Sequence, residues 1–227
     1  MTNPSLTHLY FLLDRSGSMQ SIRDDTVGGF NAFIAEQRQH PGDCLVTLAQ
    51  FDDHYEVVYT DRPIADVPGL DLQPRGTTAL LDAIGRLVTD AGAHLASLPE
   101  DQRPGAVIVG IMTDGYENAS REWTHPAIKS LVQQQTKTYN WEFLYMGADQ
   151  DAIEVGASLG VQANRSMTYS RDASGPAMAA TSAVVGRLRA ARATGAPAAD
   201  IGYSADERQA SAGAPPGRPP KNTRSTR

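Results

Sequence analysis

Short runs of apolar residues alternate along the chain with longer stretches in which apolar residues recur every three or four positions. Runs of this kind are typical of strands buried on both faces, and the longer spacing is typical of helices that cover a sheet. The order predicts an α/β fold, doubly wound, with a mostly parallel central sheet and helices on both faces. The strands are predicted at residues 9–13, 45–51, 55–60, 106–112 and 141–146, and the helices at residues 25–39, 78–98, 125–138, 152–159 and 174–193.

One pair of predicted strands is not separated by a helix. Only Asp52, Asp53 and His54 stand between the strands at residues 45–51 and 55–60. A connection this short joins antiparallel neighbours, so we predict an antiparallel hairpin at the edge of the sheet. The polar turn could also suggest metal or acid–base chemistry, but a solvated hairpin turn explains it and is the interpretation we favour.

The chain is long enough for one domain followed by a tail. Residues 1–195 are predicted to form the domain, with a core at about residues 6–160 and a C-terminal helical part at residues 161–195. Residues 196–227 are rich in Ala, Gly, Pro and Ser, with too little apolar surface to offset the entropy of ordering, so we predict disorder. The arginines of this tail could touch an acidic partner or nucleic acid, but a solvated end is favoured.

Composition narrows the possible partners and surroundings. The formal net charge of −6 makes nucleic acid a poor default partner. No apolar run reaches the length of a membrane span, and the first residues lack the pattern of a secretion signal. The single cysteine, Cys44, cannot form an internal disulfide and is expected to be a buried thiol. We therefore expect a cytoplasmic protein that binds neither nucleic acid nor a membrane, with its oligomeric state left open.

The candidate chemistry lies where two predicted strands end. Asp14, Ser16 and Ser18 directly follow the first strand, and Gly17 allows the backbone to bend between the serines. Asp114 follows the strand at residues 106–112. Open α/β sheets bind ligands at the carboxyl ends of their strands, so these side chains are expected to face one point. Carboxylate and hydroxyl oxygens are hard ligands, which favours Mg²⁺ over zinc.

These residues resemble the metal-ion-dependent adhesion site of von Willebrand factor A domains. The resemblance rests on three segments that occur in the family's order: Asp14-x-Ser16-x-Ser18, the glycine-threonine segment at residues 76–84, and Thr113-Asp114-Gly115. It covers roughly residues 6–160. It implies a Rossmann-like fold and a site for one divalent cation, with Mg²⁺ preferred and Mn²⁺ or Ca²⁺ as alternatives.

The resemblance also implies a role for each residue of this site. The two serines would bind the cation directly, and the first aspartate would act through water or at a second shell. The threonine would be a switchable ligand, and the second aspartate would bind directly or through water. Thr77 and Thr78 compete for the threonine position, and alignment on the residues that follow selects Thr78. The implied metal-site residues are Asp14, Ser16, Ser18, Thr78 and Asp114.

Asp149 follows the last predicted strand and is expected near the same rim of the sheet, without being a ligand. It lies in a segment that is similar to one found after the core in bacterial members of the family.

Three functions are compatible with these residues. The resemblance implies a binding module in which the cation accepts an Asp or Glu side chain of a partner protein; bacterial intracellular members often act as such adaptors, in some cases beside AAA-type ATPases. A metal-dependent hydrolase or phosphotransferase is the alternative, and a metal-free scaffold is the third. The sequence has no Gly-x-x-x-x-Gly-Lys-[Ser/Thr] loop, and Ser16-Gly17-Ser18 is not a nucleophile elbow, so we expect a protein that is not an enzyme.

Overall fold

Six β-strands and six α-helices lie within residues 2–213, the part of the chain that the computed structural model describes. The strands are β1 (Asn3–Asp14), β2 (Asp43–Phe51), β3 (Tyr55–Pro63), β4 (Pro104–Thr113), β5 (Glu142–Ala148) and β6 (Ser166–Tyr169). The helices are α1 (Arg23–Gln37), α2 (Leu80–Ser97), α3 (His125–Tyr139), α4 (Ala152–Ser158), α5 (Ser174–Thr194) and α6 (Ala205–Ser211).

The strands form one sheet in the order β3-β2-β1-β4-β5-β6. Every neighbouring pair is parallel except β2 and β3, which are antiparallel and joined by the turn at residues 52–54. The predicted α/β fold, with its mostly parallel sheet and antiparallel edge hairpin, is therefore confirmed. The strand order reverses between β1 and β4, and open sheets bind ligands at such a point.

The side chains of β1 alternate between two core layers. Phe11 faces α1 and α5, where its ring meets those of Phe30 and Phe33 edge-on at 5.2 and 5.5 Å. Tyr10 and Leu12 face the opposite side, which α2 and α3 cover. Because both faces of the strand are covered, consecutive positions are apolar, and this is the pattern by which the sequence predicts the strand.

The sixth strand, β6, is absent from the sequence-based prediction. It is four residues long, and two of its residues, Ser166 and Thr168, are polar. It pairs in parallel with β5, with Tyr145 opposite Ser166 and Ala148 opposite Tyr169. Pairing with β5 rather than a local apolar run makes this segment a strand.

The prediction of disorder from residue 196 onward is wrong for residues 196–213. Tyr203 is buried, and its Oη lies 2.9 Å from Thr181 Oγ1 on α5. Ser204 caps α6 through a capping box with Glu207, whose side chain also pairs with Arg187 on α5. These contacts with α5 hold the segment in place, although its composition of small residues had led us to predict disorder. The remaining predicted tail, residues 214–227, lies outside the described residues.

Two expectations from composition can be compared with the structure. Cys44 is buried as predicted, and burial raises the pKa of its thiol to about 11. No helix between residues 2 and 213 combines the length and apolar character that crossing a membrane requires.

Buried His8 makes the stability of the fold depend on pH. Its Nε2 lies 2.9 Å from Thr47 Oγ1 and 3.4 Å from Asp61 Oδ1, and burial lowers the pKa of the imidazole from 6.5 to about 4. Between these values the unfolded chain binds a proton at His8 and the folded chain does not. The free energy of unfolding is therefore expected to fall as the pH drops through this range, with a contribution from His8 of about 3 kcal/mol.

Urea unfolding of the wild type and of His8→Gln between pH 6.5 and pH 4 measures this contribution. Glutamine retains a hydrogen-bonding group near Thr47 but does not titrate, so the variant should lose stability less steeply. Both proteins share the same carboxylates, and the titration of every carboxylate that does not contact His8 cancels in the comparison; Asp61, which contacts it, is the exception. Equal slopes in the two proteins would contradict the prediction.

Candidate metal centre

The predicted ligands meet at the carboxyl edge of the sheet, where β1 and β4 lie side by side. Asp14 is the last residue of β1, and Asp114 follows Thr113, the last residue of β4. The two strands pair in parallel with Leu13 opposite Met112, so both aspartates leave the sheet at the same edge. The structure thus brings together the two acidic segments that are almost one hundred residues apart in the chain.

The protein holds both carboxylate oxygens of Asp14. Oδ1 accepts a hydrogen bond from the backbone N–H of Ser16 at 2.6 Å, and Oδ2 accepts one from Thr113 Oγ1 at 2.5 Å. The side chain is fully buried. Its neighbours therefore fix its orientation, an arrangement suited to a carboxylate that reaches a cation through water.

The two serines and Asp114 form a continuous cluster of oxygen atoms. Ser16 Oγ lies 3.0 Å from Ser18 Oγ, and Ser18 Oγ donates to Asp114 Oδ1 at 2.5 Å. Ser16 and Asp114 are buried, whereas Ser18 is exposed. The cluster therefore has a buried floor and one side open to solvent.

The structure distinguishes the two candidate threonines. Thr78 is buried, and a Cβ atom added to Gly115 would lie 3.0 Å from Thr78 Oγ1 and 3.6 Å from Ser18 Oγ. The Thr78 hydroxyl therefore borders the same cluster, and the glycine leaves room for it. Thr77 is exposed and lines a polar cavity outside the cluster.

The donor set suits a divalent cation. Asp114 Oδ2 is buried and has no hydrogen-bond partner among the described residues. Burial raises the pKa of Asp14 to about 6, although hydrogen bonds from Thr113 and Ser16 lower it, and burial also raises the pKa of Asp114. Two carboxylates in one buried cluster are costly without a counter-charge. A hard cation would supply that charge and the missing partner of Asp114 through oxygen ligands alone.

Arg171 supplies the only guanidinium near Asp114 among the contacts of the described residues. Its NH2 lies 3.2 Å from the backbone oxygen and 3.5 Å from Oδ2 of Asp114, and its Nε lies 3.4 Å from Asp149 Oδ2. Asp149 thus stands near the rim of the cluster, as expected from the sequence, and is separated from it by Arg171. The sequence reasoning missed Arg171, because no local pattern links it to residues more than fifty positions earlier.

Asp52, Asp53 and His54 form a second acidic group, with ligand atoms within 4.8 Å of one another. The buried carboxylate of Asp52, however, already accepts hydrogen bonds from Arg15 Nε at 3.0 Å, Arg75 Nε at 2.8 Å and the backbone N–H of His54 at 2.7 Å. Two guanidinium groups neutralise Asp52 and would repel a cation. The group holds the hairpin turn against the loops of the candidate metal centre, which agrees with the structural interpretation favoured from the sequence.

The loop at residues 117–123 fixes the start of α2 and was also missed by sequence reasoning. Side chains of this loop accept hydrogen bonds from the first free N–H groups of the helix segment: Asn118 from Thr78, and Glu117 from Leu81. Asp82 in return accepts bonds from backbone N–H groups of residues 121–123. No side chain at the start of α2 caps the helix. The loop, although distant in sequence, therefore provides the capping hydrogen bonds and also positions Thr78.

No protein-family model matches the sequence, and no curated protein matches it. Solved structures do match. Proximal thread matrix protein 1 from the mussel byssus, with a zinc-occupied MIDAS motif, aligns at a TM-score of 0.59 and 15% identity over 79% of this chain and 46% of that chain. The von Willebrand factor type A protein from Catenulispora acidiphila aligns at 0.51 and 14%, over 78% of this chain and 42% of that one.

A third solved structure is close to this chain in length. The vWF domain of the type V pili tip protein Mfa5 from Porphyromonas gingivalis aligns at a TM-score of 0.54 and 11% identity, over 79% of this chain and 94% of that chain. By contrast, the chain spans less than half the length of the mussel and Catenulispora proteins. The strand order, the antiparallel edge and these likenesses show that this chain has the fold of a von Willebrand factor A domain.

Proposed function

We propose that this chain is a protein-binding module that depends on a divalent cation, and that the cation accepts an acidic side chain of the partner. The observation that carries the proposal is the buried Oδ2 of Asp114, which lies within a cluster of serine, threonine and aspartate oxygens. It has no hydrogen-bond partner among the described residues, and its ion-pair partner, the guanidinium of Arg171, is 3.5 Å away. Hydroxyl ligands are neutral and leave a directly bound cation electrophilic, so an open coordination position would attract an external carboxylate. Ser18 opens that position to solvent.

The donor atoms of the cluster favour a hard cation. The mussel protein, which has the same fold, was solved with a zinc-occupied MIDAS motif, and this supports a divalent cation in this chain. The cluster in this chain offers oxygen atoms alone, which favours Mg²⁺, with Mn²⁺ or Ca²⁺ as alternatives.

The surroundings of the cluster suit a protein partner. Tyr116, two residues after Asp114, is 65% exposed and is one of the largest exposed apolar side chains among the described residues. Exposed aromatic side chains are enriched at the centres of protein interfaces. A partner that places its carboxylate on the cation could therefore pack against this ring. An AAA-type ATPase system and a cytoplasmic location, both expected from the resemblance and the sequence, remain part of this proposal.

We favour binding over catalysis because the candidate nucleophiles are already engaged. Both oxygens of Asp14 accept hydrogen bonds from the protein, so the carboxylate is poorly placed to attack a phosphate. Residues 156–160 read Gly-Ala-Ser-Leu-Gly, which matches a nucleophile-elbow pattern, but Ser158 is the last residue of α4 rather than part of a strand-to-helix turn. Its Oγ donates to the backbone oxygen of Val155.

Metal binding is expected to be saturable with one ion per chain. Isothermal titration of Mg²⁺, Mn²⁺, Ca²⁺ and Zn²⁺ into metal-stripped protein measures it. Ser16→Ala/Ser18→Ala removes two proposed ligands and should abolish binding, whereas Ser5→Ala/Ser97→Ala removes two exposed hydroxyl groups elsewhere and should bind as the wild type does. Binding that survives in the first variant, or an absence of binding in the wild type, would contradict the proposed site.

Partner recognition is expected to require both the cation and a carboxylate. Peptides selected from a random display library on the Mg²⁺-loaded protein, and eluted by a chelator, should contain Asp or Glu. Replacing that residue by Asn or Gln should abolish binding to the wild type, and the Ser16→Ala/Ser18→Ala variant should not bind the original peptide. Selected peptides that bind equally well without metal, or after amide replacement, would count against the module and favour a metal-free scaffold.

Arg171 is expected to weaken binding of the cation. Its guanidinium lies 3.5 Å from Asp114 Oδ2 and would repel a neighbouring cation, so Arg171→Gln should raise the Mg²⁺ affinity by about three- to tenfold at low ionic strength. Arg187→Gln is the matched control, because the Arg187 side chain is 42% exposed against 43% for Arg171 and pairs with Glu207 away from the cluster. An unchanged or reduced affinity in Arg171→Gln would show that the guanidinium supports the site instead.

A further inference from the structure

A cavity separate from the candidate metal centre lies between the β2–β3 hairpin and α2. Its volume is about 340 Å³, within the range of small-molecule pockets. The residues that matter most in its lining are Tyr10, Tyr55, Asp61, Leu87, Asp90 and His94. None of the proposed metal ligands lines it. We name this cavity the Tyr10 pocket.

The hydroxyl of Tyr10 is the unexplained group in this pocket. Tyr10 is only 3% exposed, and its Oη is buried without a hydrogen-bond partner among the described residues. Its ring is held in place by stacking on His8, with ring centroids 4.0 Å apart. Burial and the carboxylate of Asp61 raise the pKa of Tyr10 above its ordinary value, so the hydroxyl keeps its proton. A buried hydroxyl without a hydrogen-bond partner destabilises the folded state, and a bound ligand that supplies the partner would remove that cost.

Two carboxylates line the pocket, one from β3 and one from α2. Asp61 comes from β3, where it adopts a left-handed backbone conformation with φ of 49°, and its oxygens lie 2.9 Å from His94 Nε2 and 3.4 Å from His8 Nε2. Asp90 comes from α2 and forms no ion pair among the described residues. Burial raises the pKa of Tyr55, and the negative charge of Asp90 raises it further. The charge of the walls therefore disfavours an anion and favours a cation.

The geometry points to an aliphatic compound with a primary ammonium group as the ligand of the Tyr10 pocket. An ammonium group has three N–H donors and no acceptor. Tyr10, Asp61 and Asp90 line the pocket with oxygen atoms that accept such bonds, and Leu87 and Ala91 offer an apolar wall for a short carbon chain. This inference does not depend on the proposed metal centre, so either proposal can be disproved without affecting the other.

The first test is an amide NMR titration of the full chain with n-butylammonium chloride, at an ionic strength held constant with sodium chloride. Saturable shifts confined to residues around Tyr10, Tyr55 and His94 are expected in the millimolar range or below. Butan-1-ol, which has the same carbon chain and no charge, should bind at least about tenfold more weakly, and butanoate should not bind. A free amine and a lysine side chain share this chemistry, so N-acetyl-lysine methylamide is the second probe. Binding of n-butylammonium alone assigns the pocket to free amines, and binding of both assigns it to lysine side chains as well.

Variants separate a binding pocket from a merely buried hydroxyl. Tyr10→Phe should fold with no loss of thermal stability, because the removed hydroxyl has no partner, yet it should bind n-butylammonium about tenfold more weakly. Asp90→Asn should weaken binding about fivefold by removing one charge. Asp25→Asn, an exposed carboxylate on α1 across the sheet, should change nothing. The inference is overturned if neither probe binds saturably, if the alcohol binds as tightly as the amine, or if Tyr10→Phe binds like the wild type.

Discussion

The parallel pairing of β1 with β4 is the constraint on which the rest of this structure depends. The register that places Leu13 opposite Met112 makes both strands end at one edge, so that Asp14 and Asp114 emerge beside each other. Hydrophobic burial on both faces of the sheet maintains that register, because a slip by one residue would turn the apolar side chains of β1 to the wrong layers. The candidate metal centre is thus held by the core beneath it, and its oxygen atoms need only short loops to converge.

The hairpin turn and the candidate metal centre differ in how far nearby positive groups compensate their buried carboxylates. Asp52 is as deeply buried as Asp14, but its carboxylate accepts hydrogen bonds from two guanidinium groups and a backbone N–H. Asp114 has one serine hydroxyl at hydrogen-bond distance and one more distant guanidinium. The charge of Asp52 is therefore compensated within the protein, whereas the charge of Asp114 is compensated only in part, which leaves Asp114 able to take a cation. This difference, rather than the number of acidic residues, separates the hairpin turn from the candidate metal centre.

One strand contributes to both proposed sites. Tyr10 and Asp14 lie four positions apart on β1, which places both side chains on the α2 side of the sheet, about 13 Å apart along the strand. The first contributes a buried hydroxyl to the Tyr10 pocket, and the second closes the floor of the metal centre. Leu12 lies between them within the core and keeps the two sites apart.

The amino-acid sequence alone was enough to predict the α/β class, the antiparallel edge and the segments that carry the candidate metal-site residues. These features are local: apolar runs report burial on both faces, and Asp14, Ser16 and Ser18 are close in the chain. Three features became visible only in the folded chain: the loop at residues 117–123 that positions Thr78, the placement of Arg171 beside Asp114, and the order of residues 196–213. Each of these depends on contacts between residues far apart in sequence. Such contacts are formed by packing and pairing of whole elements, which no local pattern of residues encodes.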